Sequence, residues 1–460
     1  MIVTEERTVE IMIKSKIGFA NRIDENSFFC KALAFGTAMI ALLGWYHFLY
    51  LIPFPSVVNK ILQIHVVVFM EAVCGILFSL YCLVMYKKTL LSANHFRWLY
   101  TYIPVLIITF VVEWIGSVIR YPGLGVMKSF RFGCNFLMVG LIPAVFVLFK
   151  ILGSDGVFKI LDYFSFVWNI VLIVQACYYK YCGRILFGLQ SYFDYYTKGR
   201  IDTRFGLRVL MGCMGVYIIY YNLSDLYDSD LALGKKLFSL FRAVVGICCL
   251  LFVQQSRLAL VYFGFSLAVM LLINNKTSRQ RKIELITVLA AAIILLGTGV
   301  IQNLISKMLL VEKMNGGVSL SARLYEIRYY LGCWLKNPIL GNGFTIGKES
   351  SALYAVEHGE LGTAYYSDIG LIGLLAETGL LSVVFFLFPM YQGFQLIRKI
   401  RKQNGIPQKE TIFAMTGYSY LVISSISEIV TDNERSIMFP LMLAYFMYLV
   451  YRAQPTDENG

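Results

Sequence analysis

The sequence predicts an all-α polytopic integral membrane protein of about twelve transmembrane helices with one large extracytoplasmic loop. Three observations carry that expectation. The 460 residues are 58% apolar and only 15% charged, with a mean hydropathy of +0.66, too oily for a soluble chain of this length. Near-uncharged runs of about 17 to 25 residues, the length that crosses hydrocarbon, recur along it. Within hydrocarbon the backbone must satisfy its own polar groups, so each run is expected to be a helix.

In chain order, residues 1–31 are expected to form a cytoplasmic N-terminal segment. Its Glu5, Glu6, Glu10, Asp24 and Glu25 are mixed with basic residues, unlike the short basic head and immediate apolar run of a cleaved signal. Apolar runs over 32–54, 61–85, 99–118, 132–148, 161–179, 209–221, 237–253, 258–273 and 285–301 make the first nine spans, a region 32–301 with a basic outer loop over 180–208. Residues 302–370 are the large extracytoplasmic loop, with an interfacial helix. Runs over 371–390, 411–429 and 437–450 complete a region 371–450, and 451–460 form a cytoplasmic tail.

Orientation follows from the connections. Lys276, Arg279, Arg281 and Lys282 follow the eighth run, and Arg398, Lys399, Arg401, Lys402 and Lys409 follow the tenth. Lys and Arg are retained on the cytoplasmic side, so both clusters and both chain ends are expected there and the long loop outside. Against this, Arg184, Lys198, Arg200, Arg204 and Arg208 fall in an outer connection. Either the count is off by one span or these arginines contact an anion, and the later clusters favour the second.

Composition also limits the partners. The formal charge of +13 fits cytoplasmic Lys and Arg with an excess for anionic membrane lipids, and nothing resembles a nucleic-acid module. Ten cysteines lie mostly in apolar runs without a CxxC pair, and four histidines are scattered, so no metal site is expected. Gly341, Gly343 and Gly347 lack the Lys-Ser/Thr ending of a nucleotide loop, and no cofactor is expected.

The candidate chemistry gathers in and around the long loop. Arg323 and Arg328 sit on a predicted helix beginning after Ser319 or Ser321, with Trp334 as an interfacial anchor. Asn337-Pro338 ends that helix, because the residue before proline is driven out of the helical region. Asp368 stands at the mouth of the tenth run, where it either accepts a hydroxyl proton or caps the helix beside it. Glu377 lies deeper in the same run, an expensive place unless it faces protein, water or an arginine. Glu71 and Glu113 are also intramembrane acids. Arg257 follows Gln254-Gln255-Ser256 at a tight outer turn, where a snorkelling arginine is the plain alternative to a functional one.

Three stretches resemble the O-antigen ligase and Wzy-type polysaccharide polymerase superfamily of bacterial membrane enzymes. FVQQSRLALVYFGFSLAVMLL is similar to its Ser-Arg followed by a helix, RLYEIRYYLGCWLKNPILGNGF to its Arg, Trp, Asn-Pro and Gly-x-Gly outer-loop motif, and LLAETGLLS to the start of the next helix. The resemblance implies a GT-C-like, metal-independent glycosyltransferase of the cytoplasmic membrane, with its active site facing outside. It implies a donor and an acceptor oligosaccharide linked to undecaprenyl pyrophosphate, with inverting transfer to a hydroxyl and release of the lipid pyrophosphate. A chain-length regulator is a further partner such enzymes imply. Family arginines match Arg257 and Arg323. Arg200 matches an earlier loop motif, and Arg204, Arg328, Trp334, Asn337 and Glu377 are carried as substrate-binding residues. The family's Asn near Arg204 is missing, and Asp368 stands where ligases carry a His. That substitution favours repeat-unit polymerisation, for capsule, exopolysaccharide or O-antigen, over ligation to lipid A, protein or wall. A lipid-linked-oligosaccharide flippase is the transporter alternative.

Overall fold

The computed structural model describes residues 55–61, 63–87, 96–184, 186, 211–254, 256–273, 318–347, 351–403, 405–428 and 435–454, and these are all-α. In chain order the helices are α1 (Ser56–Ile61), α2 (Ile64–Met85), α3 (Trp98–Arg120), α4 (Val126–Leu137) and α5 (Ile142–Cys182). There follow α6 (Gly215–Ser224), α7 (Leu233–Cys248) with its π-helical extension Cys249–Gln254, α8 (Arg257–Ile273) and α9 (Val318–Lys336). The last are α10 (Ala352–His358), α11 (Gly370–Thr378), α12 (Phe388–Lys402), α13 (Gln408–Ser425) and α14 (Met438–Arg452).

The expected count of about twelve crossings is overturned. Among the described residues four helical runs are long and apolar enough to cross a membrane: Val66–Met85, Trp98–Arg120, Val126–Cys182 and Leu233–Gln254. A fifth is added only if Gly370–Leu381 and Val383–Lys402, bent by 113°, count as one span. The chain is a polytopic membrane protein, but its described residues do not show the GT-C-like layout of about twelve crossings. The expected spans 32–54 and 285–301, and the basic cluster at 276–282, lie outside the described residues.

The corrections have local causes. Runs 132–148 and 161–179 belong to one 57-residue helical stretch, which turns at Gly153, where φ is +72° and ψ 161°. The Phe149 and Phe158 rings on either side are 5.6 Å apart, whereas nine residues of straight helix span about 13.5 Å. The tenth run breaks at Gly379, whose φ of +55° and ψ of −139° admit no side chain without strain. The sixth and twelfth runs give helices of 10 and 15 residues, short of the roughly 20 that hydrocarbon demands.

Both faces of α14 are buried, and Phe149, Phe158 and Phe413 pack round Tyr445 near its middle. Alongside it α13 runs for 18 residues, about 27 Å at helical rise, with polar clusters at both ends. At its first turn Glu410 takes a bidentate pair of bonds from Arg452. There too Lys409 lies 3.0 Å from Asp228 and 3.9 Å from both Asp155 and Asp225. Contact with Asp228 and the other two carboxylates raises the Lys409 ammonium pKa against the opposing effect of burial.

One turn into the bundle from that end, Arg242 pairs with Asp162, which is 1% exposed, and Asn222 donates to the other oxygen of Asp162 at 2.6 Å. Removing one partner of a buried pair leaves the other uncompensated, at a cost of about 3–5 kcal/mol. Asp162→Leu is therefore expected to lower the melting temperature of the detergent-solubilised protein sharply, and Asp162→Leu with Arg242→Met to recover most of the loss. Equal melting of the single variant and the parent would contradict this role.

Candidate active site at the Ser425 end of the bundle

The opposite end of α13 carries the candidate site. Gly370, with φ +52°, begins α11 against the carbonyl of Ser425 and the backbone of Ile426, where an added Cβ would come within 2.5 Å. Just ahead of it, the turn Tyr366–Asp368 packs on α9, and Arg323 donates from Nη1 to the Asp368 backbone carbonyl. Three residues further along α9, Glu326 is buried, with a fractional exposure of 3%. Burial and the neighbouring Asp368 carboxylate push the Glu326 carboxyl up to about 7, while Arg323 and a hydrogen bond with the Tyr365 backbone pull it down.

α8 reaches the same end. Ser256 caps it: its hydroxyl accepts from the Ala259 N–H at 3.4 Å and its carbonyl from the Leu260 N–H at 3.1 Å, leaving Arg257 as the first helical residue. Such a cap explains why serine precedes the arginine. The Tyr262 hydroxyl bonds to that of Ser427, just past the end of α13, and Tyr262 is within electrostatic reach of Arg323, Glu428 and Arg435. Glu428 and Arg435 themselves pair at 3.3 Å. Phe263 stacks on Tyr220 of α6, which lies at the level of Tyr420, so α8 descends from Arg257 into the bundle. The Arg257 backbone thus stands five residues, about 7.5 Å of helix, above Tyr262 at the end that holds Arg323.

The predicted residues therefore divide. Arg323 meets the Asp368 turn, and Tyr262 of α8 lies within electrostatic reach of Arg323, with the α8 start at Arg257 about 7.5 Å of helix beyond it. Arg328 is exposed, about 140° round α9 from Arg323. Trp334 and Asn337 lie 11 and 14 residues along α9 from Arg323, about 17 and 21 Å away, where they build a different feature. α9 ends at Lys336 as the Asn-Pro pair predicts, and Asn337 accepts the Gly341 N–H at 2.8 Å. The chain then straps itself to the break after α11: Asn342 N–H to Ala376 O at 2.7 Å, Gly343 N–H to Glu377 O at 2.8 Å and Leu380 N–H to Pro338 O at 2.9 Å. Arg120 donates to the Gly341 carbonyl from beneath, and Ser117 accepts the Phe344 N–H at 2.8 Å. Glu377 is buried in this strap, at the end of α11 rather than deep in a crossing helix, and buried Glu113 faces Gly343.

Three further expectations change or fall away. α9 starts at Val318, ahead of Ser319 and Ser321, so neither stands at its N-cap. Asp368 does not cap α11, whose N-cap is Ile369 without a side-chain bond. Arg200 and Arg204 lie outside the described residues. Sequence reasoning missed Tyr262, Ser427, Glu428 and Arg435. The polar TDNERS between the last two apolar runs was the available signal, hidden because Glu428 had been absorbed into a span. Among the described residues, no three His, Cys, Asp or Glu side chains gather in a way that could hold a metal ion.

A family model described as O-antigen ligase matches residues 242–387, roughly a third of the chain. The matched stretch includes Arg257, Arg323, Glu326, Asp368 and the strap. No curated protein matches the chain. The part of the chain that supplies α8, α9 and α11 to the cluster is thus the part that is similar to the O-antigen ligase family.

Proposed function

We propose that the protein transfers a glycan from a lipid diphosphate to a hydroxyl on a second molecule, at the Ser425 end of the bundle. The observation that carries this reading is the bond of Arg323 to the Asp368 turn, with Tyr262 of α8 in electrostatic reach of Arg323, within the stretch that matches the family. A diphosphate leaving group needs its growing negative charge neutralised more than it needs a proton. Guanidinium forks suit phosphate oxygens, and fixed charges aimed at a departing group act most strongly as its charge develops. Arg257 and Arg323 take that role, joined by Arg200 from the basic connection. The exposed Asp368 carboxylate meets the acceptor, and the reaction inverts the sugar carbon without a metal.

Arg398, Lys399, Arg401 and Lys402 end α12 towards the Lys409 side of the bundle, so the positive-inside rule puts the reactive end outside the cytoplasmic membrane. Undecaprenyl pyrophosphate is the donor lipid expected there in a bacterium. Trp334, Asn337 and Glu377 act through the strap that holds α9 to α11. The family description names ligation, and transfer of a finished glycan to lipid A, protein or wall is the reading it supports better. Repeat-unit polymerisation is the second reading, favoured by an acid at Asp368 where ligases carry a His. Glycan analysis of a strain lacking the protein separates them: intact unattached polymer is the expected result for a ligase, and single unpolymerised units would establish the polymerase instead. Lipid-linked glycan retained on the cytoplasmic leaflet would overturn both in favour of a flippase.

A further inference from the structure

We propose that Glu326 is the group that takes the proton from the acceptor hydroxyl, an inference that rests on the glycosyl-transfer reading above. Among the carboxylates of the cluster, it stands in the most telling place. It lies three residues after Arg323, on the same face of α9, so a group held by the Arg323 guanidinium is within reach of both. One carboxyl oxygen is engaged by the Tyr365 backbone, while Oε2 is buried with no hydrogen-bond partner. A buried carboxylate oxygen left unpaired is costly, and a site whose partner arrives with the substrate explains why it is kept so. The cover is thin. Tyr365, whose backbone engages the first oxygen, is itself 46% exposed, and Asp368 at the other end of the turn is exposed. Acceptor seated on this turn is therefore adjacent to Oε2.

The charges around the group suit the task. On its own helix Glu326 is faced by Arg323 and by the Tyr330 phenol, beyond which lies Glu357. From the packed turn it is faced by Asp368 and the Tyr365 backbone. Burial and Asp368 hold its proton affinity near neutrality, at about 7, where a general base balances its ionised fraction against its strength. In the step itself the acceptor O–H bond breaks and its proton passes to Glu326 Oε2. The freed oxygen bonds to the anomeric carbon. The bond from that carbon to the diphosphate oxygen breaks, and its electron pair leaves on the diphosphate, beside Arg257 and Arg323.

A merely structural Glu326 would anchor Tyr365, a bond that a glutamine oxygen can still accept. Purified full-length protein is reconstituted with a glycan on undecaprenyl diphosphate and its acceptor, and transfer is followed against pH. The parent rate is expected to rise with pH through about 7 as Glu326 ionises. Glu326→Gln should lower kcat by roughly 10²–10⁴-fold, with the KM for donor kept and the rise near pH 7 gone. Asp368→Asn removes a like charge and should move that rise to lower pH. Transfer by Glu326→Gln within tenfold of the parent overturns the proposal. So does an Asp368→Asn profile whose rise stays in place, and that variant decides the matter if Glu326→Gln does not fold. A parent protein that yields no product fails at the earlier step, the transfer reading itself, and takes the proposal with it.

Discussion

Arg323→Lys is expected to lower glycosyl transfer by roughly 10²–10³-fold, the effect of losing one fixed donor to a developing anion, while the protein stays folded in the membrane. The substitution keeps the charge and removes the planar fork. Arg323 holds the Asp368 carbonyl through one arm, Nη1, which leaves its remaining donors for a phosphate, and a lysine that replaces the first bond has a single nitrogen for both tasks. The change should fall on kcat more than on donor KM, because the interaction strengthens as the diphosphate departs. Product formation by the lysine variant at the parent's rate would remove Arg323 from the leaving-group site.

Gly379→Ala should be the most damaging single methyl in the described part of the chain. The residue sits at φ +55° and ψ −139°, a region open essentially to glycine, and occupying it with another residue costs about 1–3 kcal/mol before any contact is considered. An added Cβ would also lie 2.4 Å from the Ile339 carbonyl oxygen and 2.6 Å from the Gly341 nitrogen. Those are backbone atoms of the strap and cannot swing aside. The expected result is a protein that melts many degrees lower in detergent and loses transfer, since α11 can no longer hold the Asp368 turn over α9. Gly264→Ala on α8, where a Cβ meets nothing within 4 Å, is the control and should melt no lower than the parent. A Gly379→Ala variant that melts with the control would show that the strap does not organise the site.

These two residues also mark what could be read from sequence and what could not. Local signals held where one residue's chemistry dictates backbone geometry. Asn337-Pro338 ended α9 as expected, and α8 begins at Arg257, one residue ahead of the expected apolar run. Apolar run length did not give the crossings, because hydropathy counts oily residues and not the angle between them. The run through Gly379 reads as one span, yet it bends by 113°, and the two runs either side of Gly153 are joined by a sharp turn at that glycine rather than by a loop. The association of Arg323 with Asp368 was legible only as two residues in one loop. That the carbonyl and not the carboxylate of Asp368 meets Arg323 depends on the Tyr366–Asp368 turn, and no spacing rule announces it. Glu326 passed as one more polar residue of an interfacial helix, since burial of a single carboxyl is a tertiary fact.

The account rests on arginines carried by α8 and α9 gripping a departing diphosphate at one end of the bundle. Its most direct test is reconstitution of the purified protein in vesicles with a radiolabelled glycan on undecaprenyl diphosphate and a hydroxyl acceptor, without nucleotide or added metal. The account predicts a glycan joined to the acceptor and one free lipid diphosphate for each bond made, both lost together in Arg257→Lys and Arg323→Lys. Labelled glycan that remains on its lipid while changing leaflet, or transfer that persists in both variants, would contradict it.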